Sequence, residues 1–509
     1  MRKLIVCCDG TWNNLNQSEL GVPTPTNVVK LFYSLAKEDS NGIKQIAYYH
    51  PGVGTENKFL NKYLGGGLGV GLGKNIKSAY KWICDQYEDG DQLYLFGFSR
   101  GAFTVRSLSG FLERFGILDL NAYSVREAWD KVDAAYEAYK DKMSLTPEFR
   151  YKVKSGSVVI NFLGVWDTVG SLGVPDELAF FNLFDDTKDH SFHSTELCPN
   201  VRVARHAVAI DERRGTFPPT LWTKWNDNVQ SVKQIWFPGV HSDVGGGYLQ
   251  TGLSDGALLW MIEEVSNDGH LLFIKSKIDQ IKPNYQDVLH DSLDGLFRRL
   301  RNQPRNVPCF NDTNQFHTSA LNRYEFPPIC EQAYWDYKVI EKDKSERVKV
   351  YAADVFNKTG IYLEQGTKYK FVAKGEWIDW GIRSGPSGTN DGKFYFGEIF
   401  QLFGSAIGML ERFYKMITGN ETADFWFTKR YEQWPWFALI GVISNGGEAD
   451  ESANKEGKVE IKPHEAFLIG DECLYTPKKS GYLYCLANDA WKFYGNNHGS
   501  VDVVIKNLG

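Results

Sequence analysis

From Leu4 to about residue 300, short apolar runs alternate with stretches of helical period, the pattern of an α/β protein with a largely parallel sheet. The runs that read as strands are Lys3–Cys8, Gln45–Tyr49, Gln92–Phe96, Ser157–Val165, Val201–Ala209 and Val232–Pro238. Between them, Thr26 and Asn27 are expected to cap a helix running to Leu35, and Asn75–Tyr87 is amphipathic. Arg100–Phe115 follows the third strand without a break, and Asp255–Val265 follows the last. Residues 301–345 contain Pro304, Pro308, Pro327 and Pro328 and no sustained period, so they are expected to form a linker or wrapping segment. Past Val348 the period falls to two between glycine-rich turns. Val348–Tyr351, Lys368–Trp377, Phe437–Ile443, Lys458–Ile461, Tyr482–Ala487 and Ser500–Ile505 read as the strands of a β-sandwich covering 346–509. Glu398–Ile417 interrupts it with a helical pattern whose polar stripe is too narrow for a helix alone in water. That helix is expected to sit in an insertion of about residues 391–432 and to be covered, either by the hydrolase domain as an interdomain strut or by a lipid interface or second subunit.

Composition narrows the classes. A chain of 509 residues has room for about two to four domains, and 42% hydrophobic with 24% charged residues excludes a disordered or collagen-like protein. Lys and Arg number 57 against 63 Asp and Glu, a net charge of -6, so no global positive field draws in nucleic acid. The eight Cys include no CxxC pair, and Cys7 and Cys8 are neighbours in a strand, which predicts reduced thiols rather than disulfides or a zinc site. No run of about 18 apolar residues predicts a transmembrane segment, and Met1-Arg2-Lys3 enters a strand pattern at once. The chain is expected to be cytoplasmic in the producing cell, with any export independent of a cleaved signal peptide.

The chemistry concentrates at strand ends. Gly97-Phe98-Ser99-Arg100-Gly101 is a G-x-S-x-G between an apolar strand and an apolar-periodic helix, the setting in which a tight turn lifts a nucleophilic serine. The turn puts the Arg100 N–H at a helix N-terminus, where it can bind a developing oxyanion. A serine needs a base and an acid, in the order Ser, Asp/Glu, His for an α/β-hydrolase. Asp167, after the strand ending at Val165, and His241, after the strand Ile235–Phe237, supply that order. Asp211 competes for the acid and His206 for the base, while Asp243 is expected to order its loop. Gly10 or Thr11 can supply the second oxyanion N–H, although an Asx turn made by Asp9 explains the same residues equally well. Gly65–Gly73 invites a nucleotide-binding reading only weakly. Lys74 is followed by Asn75, no strand directly precedes the loop, and a lid or active-site loop accounts for the glycines as well.

Five blocks in order resemble one family: Asp9-Gly10-Thr11-Trp12-Asn13, Gly52-Val53-Gly54-Thr55 after Tyr49, Gly97–Phe103, Gly164–Gly170 and His241–Tyr248. It is the broad, largely uncharacterised α/β-hydrolase domain family that includes lipase effectors of type VI secretion. The resemblance covers about residues 1–300 and implies a mostly parallel sheet with helices on both faces and carboxyl-ester hydrolysis, phospholipase A being the activity of the effector members. It puts Ser99, Asp167 and His241 at the positions of nucleophile, acid and base. It also implies an acyl-ester substrate of phospholipid type, peripheral contact with a membrane, and secretion machinery as a partner.

Near the end, Asn488–Ser500 crowds Asp489, Asn496 and Asn497 on one loop, the hard oxygen ligands that Ca²⁺ takes. With Ala373–Trp377, Trp380, Gly385-Pro386-Ser387-Gly388, Ala438–Gly441 and Ser480-Gly481, residues 346–509 resemble the bacterial galactophilic calcium lectin domain, a galactose-binding-like β-sandwich. By position, Asp489, Asn496 and Asn497 would ligate by side chain, Trp380 and Phe493 by main-chain oxygen, and the ligand would be a carbohydrate. After Gly388 the family continues into a short loop with a sugar-contacting His and Gln, and this chain diverges there. Two functions are therefore expected in turn: a serine esterase with a calcium-dependent targeting sandwich, or a lectin-like binder whose hydrolase domain is a scaffold. A short-chain p-nitrophenyl ester separates them.

Overall fold

The computed structural model describes residues 1–11, 13–52, 68–141, 143–145, 149–169, 196–293, 302–329, 333–335, 337–379, 382–389, 429–447, 449–450, 460–490 and 494–509. In the first half, β1 (Lys3–Cys8), β2 (Gln45–His50), β3 (Gln92–Phe98), β4 (Ile160–Trp166), β5 (Val201–Ala209) and β6 (Ser231–Phe237) form one sheet in the order β2-β1-β3-β4-β5-β6. Every pairing in it is parallel. Strands buried on both faces read as unbroken apolar runs, and β1 has no exposed residue. Leu4, Val6 and Cys8 point into the layer beneath α2 (Leu68–Gln86), α3 (Arg100–Phe115) and α4 (Val125–Lys140), with Ile76, Phe111 and Val132. Ile5 and Cys7 point the other way, to Leu31 of Asn27–Ser34 and Met261 of Gly252–Asp268. Helices thus cover both faces.

Two elements depart from the expected pattern. Val125–Lys140 was not among the expected helices, because its buried face is Ala128, Val132, Ala135, Tyr136, Ala138 and Tyr139 rather than an aliphatic stripe. Its start was nonetheless encoded, since Ser124 and Glu127 form a capping box. His241, expected in a loop, opens the short helix His241–Gly245.

The segment expected to be a linker or wrapping segment packs against both halves. It contains the helix Thr318–Glu325, and Val307, Phe310, Phe316 and Trp335 are buried in a cluster with Val208 and Trp236 of the first sheet and Ile440, Tyr482 and Tyr484 of the second half. Aromatic residues in irregular backbone leave no period to detect, so only packing reveals this wedge.

The second half is β-rich. One sheet orders Lys338–Val339, Asn357–Leu363, Gly481–Ala487, Trp436–Ile443 and Ser387–Thr389; another orders Ser345–Tyr351, Asn497–Asn507, Tyr369–Asp379 and Ile382–Ser384. Leu439, Leu483 and Cys485 of the first meet Val350, Phe371 and Val503 of the second in a shared core. The alternate residues Ile440, Val442, Tyr482 and Tyr484 face the wedge instead. This sheet is buried on both sides, which explains its continuous apolar strands. The expected helix Glu398–Ile417 lies outside the described residues. Among the described residues no helix is long and apolar enough to cross a membrane.

Candidate active site

The strand order reverses direction between β1 and β3, and ligands of open α/β sheets bind outside the strand ends at such a point. Ser99 lies there, directly after β3 and capping α3, with φ +56° and ψ -123°. A non-glycine residue at positive φ costs of order 1–3 kcal/mol and persists only where its surroundings over-determine it. Here the Ser99 N–H donates to the Trp166 carbonyl at 3.1 Å, and the Phe103 N–H donates to the Ser99 carbonyl at 3.2 Å. The flanking glycines are required. A Cβ at Gly97 would stand 2.4 Å from the Gly101 oxygen, and one at Gly101 would stand 2.1 Å from the Cys8 oxygen. Arg100 is the first helical residue, which puts its N–H at the positive end of the α3 dipole.

The next strand carries the carboxylate. Asp167 follows β4, is fully buried, and its backbone N–H donates to Ala207 of β5 at 2.7 Å. His241 Nδ1 lies 2.5 Å from Asp167 Oδ2. Burial opposes ionisation of Asp167, but the Arg305 guanidinium and the His241 bond overcome it and hold the carboxyl well below its ordinary range. With Asp167 ionised, Nδ1 must carry the proton and donate, so Nε2 is the nitrogen able to accept one. Burial lowers the His241 pKa, and Asp167 draws it back only in part, so the imidazole is neutral at pH 7. The Phe98 ring lies 4.6 Å from the His241 ring, and Phe217 meets it edge-on at 5.1 Å.

Three supporting residues escaped the sequence. Arg305, from the Pro-rich wedge, donates through Nη1 to Asp167 Oδ1 at 2.6 Å and through Nη2 to Oδ2 at 2.9 Å; the same nitrogens reach the Ala209 and Phe217 carbonyls at 2.7 and 2.8 Å. Glu212 is buried and accepts from the His241 N–H at 3.2 Å, from Ser292 Oγ at 2.7 Å and from Arg214. Burial raises the Glu212 pKa, but Arg214 reverses the effect and brings it to about 2. Phe98 completes the set, beside Gly245, where a Cβ would stand 1.9 Å from its ring. Asp-Glu-Arg-Arg at 211–214 resembles an exposed charge run, and Arg305 has no motif around it, so no local signal distinguished them.

The competitors are committed elsewhere. Asp211 accepts from the Gly239 N–H, Tyr334 Oη and Trp335 Nε1 at 2.8, 2.8 and 3.1 Å. His206 is buried and accepts the Thr168 N–H on Nε2 at 3.0 Å; burial pushes its pKa down to about 3. Asp243 ties its loop through the Val240 N–H at 3.0 Å and His290 Nδ1 at 2.6 Å. The expectation for Gly10 needs correcting: its N–H already donates to Asp9 Oδ1 at 2.7 Å, which occupies the donor. Asp9 is a loop anchor, also accepting from Thr26 Oγ1 and Tyr49 Oη at 2.8 Å each; burial pushes its carboxyl up to about 6. Thr11 remains from that loop, with a buried hydroxyl oxygen that has no hydrogen-bond partner among the described residues. A Cβ on Gly10 would stand 3.1 Å from Ser99 Cβ, so the loop adjoins the serine.

In the second half, Asp489 is buried and accepts the Ala490 N–H on Oδ1 at 2.7 Å and Asn497 Nδ2 on Oδ2 at 2.9 Å. Asn497 Oδ1 is buried with no donor among the described residues. Asn496 ends a short 3-10 turn beside them, while Trp380 and Phe493 lie outside the described residues. Among the described residues no cluster of three or more His, Cys, Asp and Glu could hold a metal, so a cation here would rest on one carboxylate and amide oxygens.

A parallel α/β sheet that carries a strained serine, a neutral imidazole and an ionised carboxylate after the ends of its strands is the frame of a hydrolytic α/β enzyme. The chain belongs to the family described as T6SS, phospholipase effector Tle1-like, catalytic domain, which matches residues 2–264. An uncharacterized protein of Saccharomyces cerevisiae is 32% identical over 244 residues, 44% of this chain; the chain spans about a third (33%) of that relative's length. A solved structure of an uncharacterized protein from Pseudomonas aeruginosa is 18% identical, with a TM-score of 0.37 over 56% of this chain and 49% of that one. A solved lectin, the EclA N-terminal domain described as PllA-like, is 14% identical with a TM-score of 0.18 over 32% of this chain and 94% of that one. Neither superposition is close enough to bear on the reading of either half.

Proposed function

We propose that this protein is a serine hydrolase of carboxyl esters, a phospholipase of the A type, acting through Ser99, His241 and Asp167. The observation that carries it is the strained serine at the end of β3, whose chain neighbour Phe98 lies 4.6 Å from the ring of a neutral His241 held by an ionised Asp167. In this reading Ser99 Oγ attacks the ester carbonyl as its proton passes to His241 Nε2. The imidazolium formed is held by Asp167, and the oxyanion takes the N–H of Arg100 and a donor from Thr11. His241 then returns the proton to the departing alcohol, and water, activated by the same nitrogen, releases the acid from Ser99. Glu212 and Arg305 position the base and the acid.

The same proposal covers delivery and targeting. Membership of the effector family supports export by type VI secretion and a lipid substrate met at a membrane surface. The β-rich half is read as a lectin-like targeting domain for a carbohydrate. Calcium would be held there by Asp489, Asn496 and Asn497; the orphaned Asn497 oxygen is the feature that fits a cation. Bound calcium would pin the loop. Ser99→Ala tests the hydrolase: hydrolysis of a p-nitrophenyl ester is expected to fall at least about 10³-fold with folding intact. Near-wild-type hydrolysis in that variant would refute it.

A further inference from the structure

One cation near the site, Arg106, forms no ion pair with an acid among the described residues. Arg106 lies seven residues past Ser99 on α3, about 10 Å along the helix, and long helical side chains lean back toward the N-terminus, here toward the serine. Its Nη1 donates to the Thr220 carbonyl, and its guanidinium stacks 4.9 Å from the centre of the Trp222 ring. Its Nη2 is shut off from solvent and has no hydrogen-bond partner among the described residues. Burial pulls its pKa down to about 9, with the neighbouring Cys198 thiol acting the other way, so it remains a cation at neutral pH.

That guanidinium lines a cleft of about 610 Å³, counting its mouth, with Phe103, Tyr139, Leu197, Thr220 and Trp222. Both ends of this wall touch the active site. The Phe103 N–H bonds the Ser99 carbonyl, and the Thr220 N–H bonds the carbonyl of Thr168, next to Asp167, at 2.8 Å. The acidic residue in the lining, Glu196, pairs with Lys224 at 3.3 Å. A cation taken out of water is costly unless an anion meets it, and a guanidinium with a spare N–H edge suits a phosphate oxygen.

We propose that the Arg106 cleft seats the phosphate of a phosphodiester, so that a phospholipid whose ester lies at Ser99 sets its headgroup phosphate against the Arg106 guanidinium that lines it. In a glycerophospholipid the phosphate stands only a short glycerol linkage from the ester, which matches a cleft beginning one helical turn from the serine. The assignment deepens the proposed function and rests on Ser99 as the nucleophile.

The test compares full-length wild type with Arg106→Gln and Arg106→Lys. Rates are measured on phosphatidylglycerol in mixed micelles and on p-nitrophenyl butyrate, which has no phosphate. The ratio of phospholipid to p-nitrophenyl kcat/KM is expected to fall at least about tenfold in Arg106→Gln and less in Arg106→Lys, which keeps the charge but loses the forked edge. Inorganic phosphate is expected to raise the Tm of the wild type, and of Ser99→Ala, but not of Arg106→Gln. An equal loss on both substrates would make Arg106 structural and overturn the proposal. Phosphate stabilisation with an unchanged substrate ratio would give the cleft to free phosphate and overturn the lipid assignment. If Arg106→Gln does not fold, the same ratio and phosphate titration are read in Arg106→Lys, and a wild-type Tm indifferent to phosphate overturns the site. Because Ser99→Ala retains the cleft, its phosphate response separates a failure of the cleft from a failure of the nucleophile.

Discussion

Replacing Arg305 by Met tests whether a residue outside the matched family region holds the acid of the site. In the wild type the guanidinium makes two bonds to Asp167, at 2.6 and 2.9 Å, and two to backbone carbonyls, at 2.7 and 2.8 Å, all buried. Met fills much of the volume but leaves Asp167 with the Ala209 N–H at 2.9 Å and His241 alone. Removing one partner of a buried ion pair costs about 3–5 kcal/mol, chiefly through the charge left behind, and that is the expected loss at pH 7. The pH dependence identifies its origin. Burial opposes Asp167 ionisation and Arg305 with His241 outweighs it, so the folded pKa lies below the unfolded value of about 3.9. The pair therefore stabilises the fold above that value, and the contribution is lost as pH falls through the folded pKa. Without Arg305 burial prevails, the folded pKa rises, and the variant takes up its proton at higher pH. The gap between wild type and variant should then narrow as pH falls from 7 toward 4.5. Urea unfolding followed by tryptophan fluorescence at both pH values measures the gap, with Arg305→Lys recovering part of it. A cost below about 1 kcal/mol, or one equal at the two pH values, would refute the ionic clamp.

Three further outcomes are expected. Because burial lowers the His241 pKa, the acid limb of kcat/KM should lie below the ordinary imidazole value of about 6.5; a limb above 7 in the pH profile would contradict a buried neutral base. Gly245→Ala drives a methyl to 1.9 Å from the rigid Phe98 ring, so thermal unfolding should show a loss of about 1–3 kcal/mol with ester hydrolysis falling alongside. Gly256→Ala, where a Cβ meets nothing within 4 Å, is the matched control and should be neutral or stabilising. Asp489→Ala should abolish any Ca²⁺-dependent rise in Tm, and identical wild-type melting curves in Ca²⁺ and EDTA would end the calcium proposal.

What the sequence determined by itself is whatever depends on neighbours in the chain. The parallel strands were legible because burial on both faces of the four central ones demands apolar runs, and the turn at Ser99 was legible because its tight backbone needs glycine at 97 and 101. Positions of Asp167 and His241 could be narrowed to strand ends, since parallel sheets present side chains there. The tertiary structure decided which of several candidates meet. Asp167 and His241 are 74 residues apart and touch only because β4, β5 and β6 lie side by side, while the competitors Asp211 and His206 are turned to other partners. It also took Gly10 out of the donor set by spending its N–H on Asp9. Arg305 was the least legible of all. Its contact with Asp167 spans 138 residues from a stretch without period, and its role comes from the field of a charge in a dry interior, which no local pattern encodes.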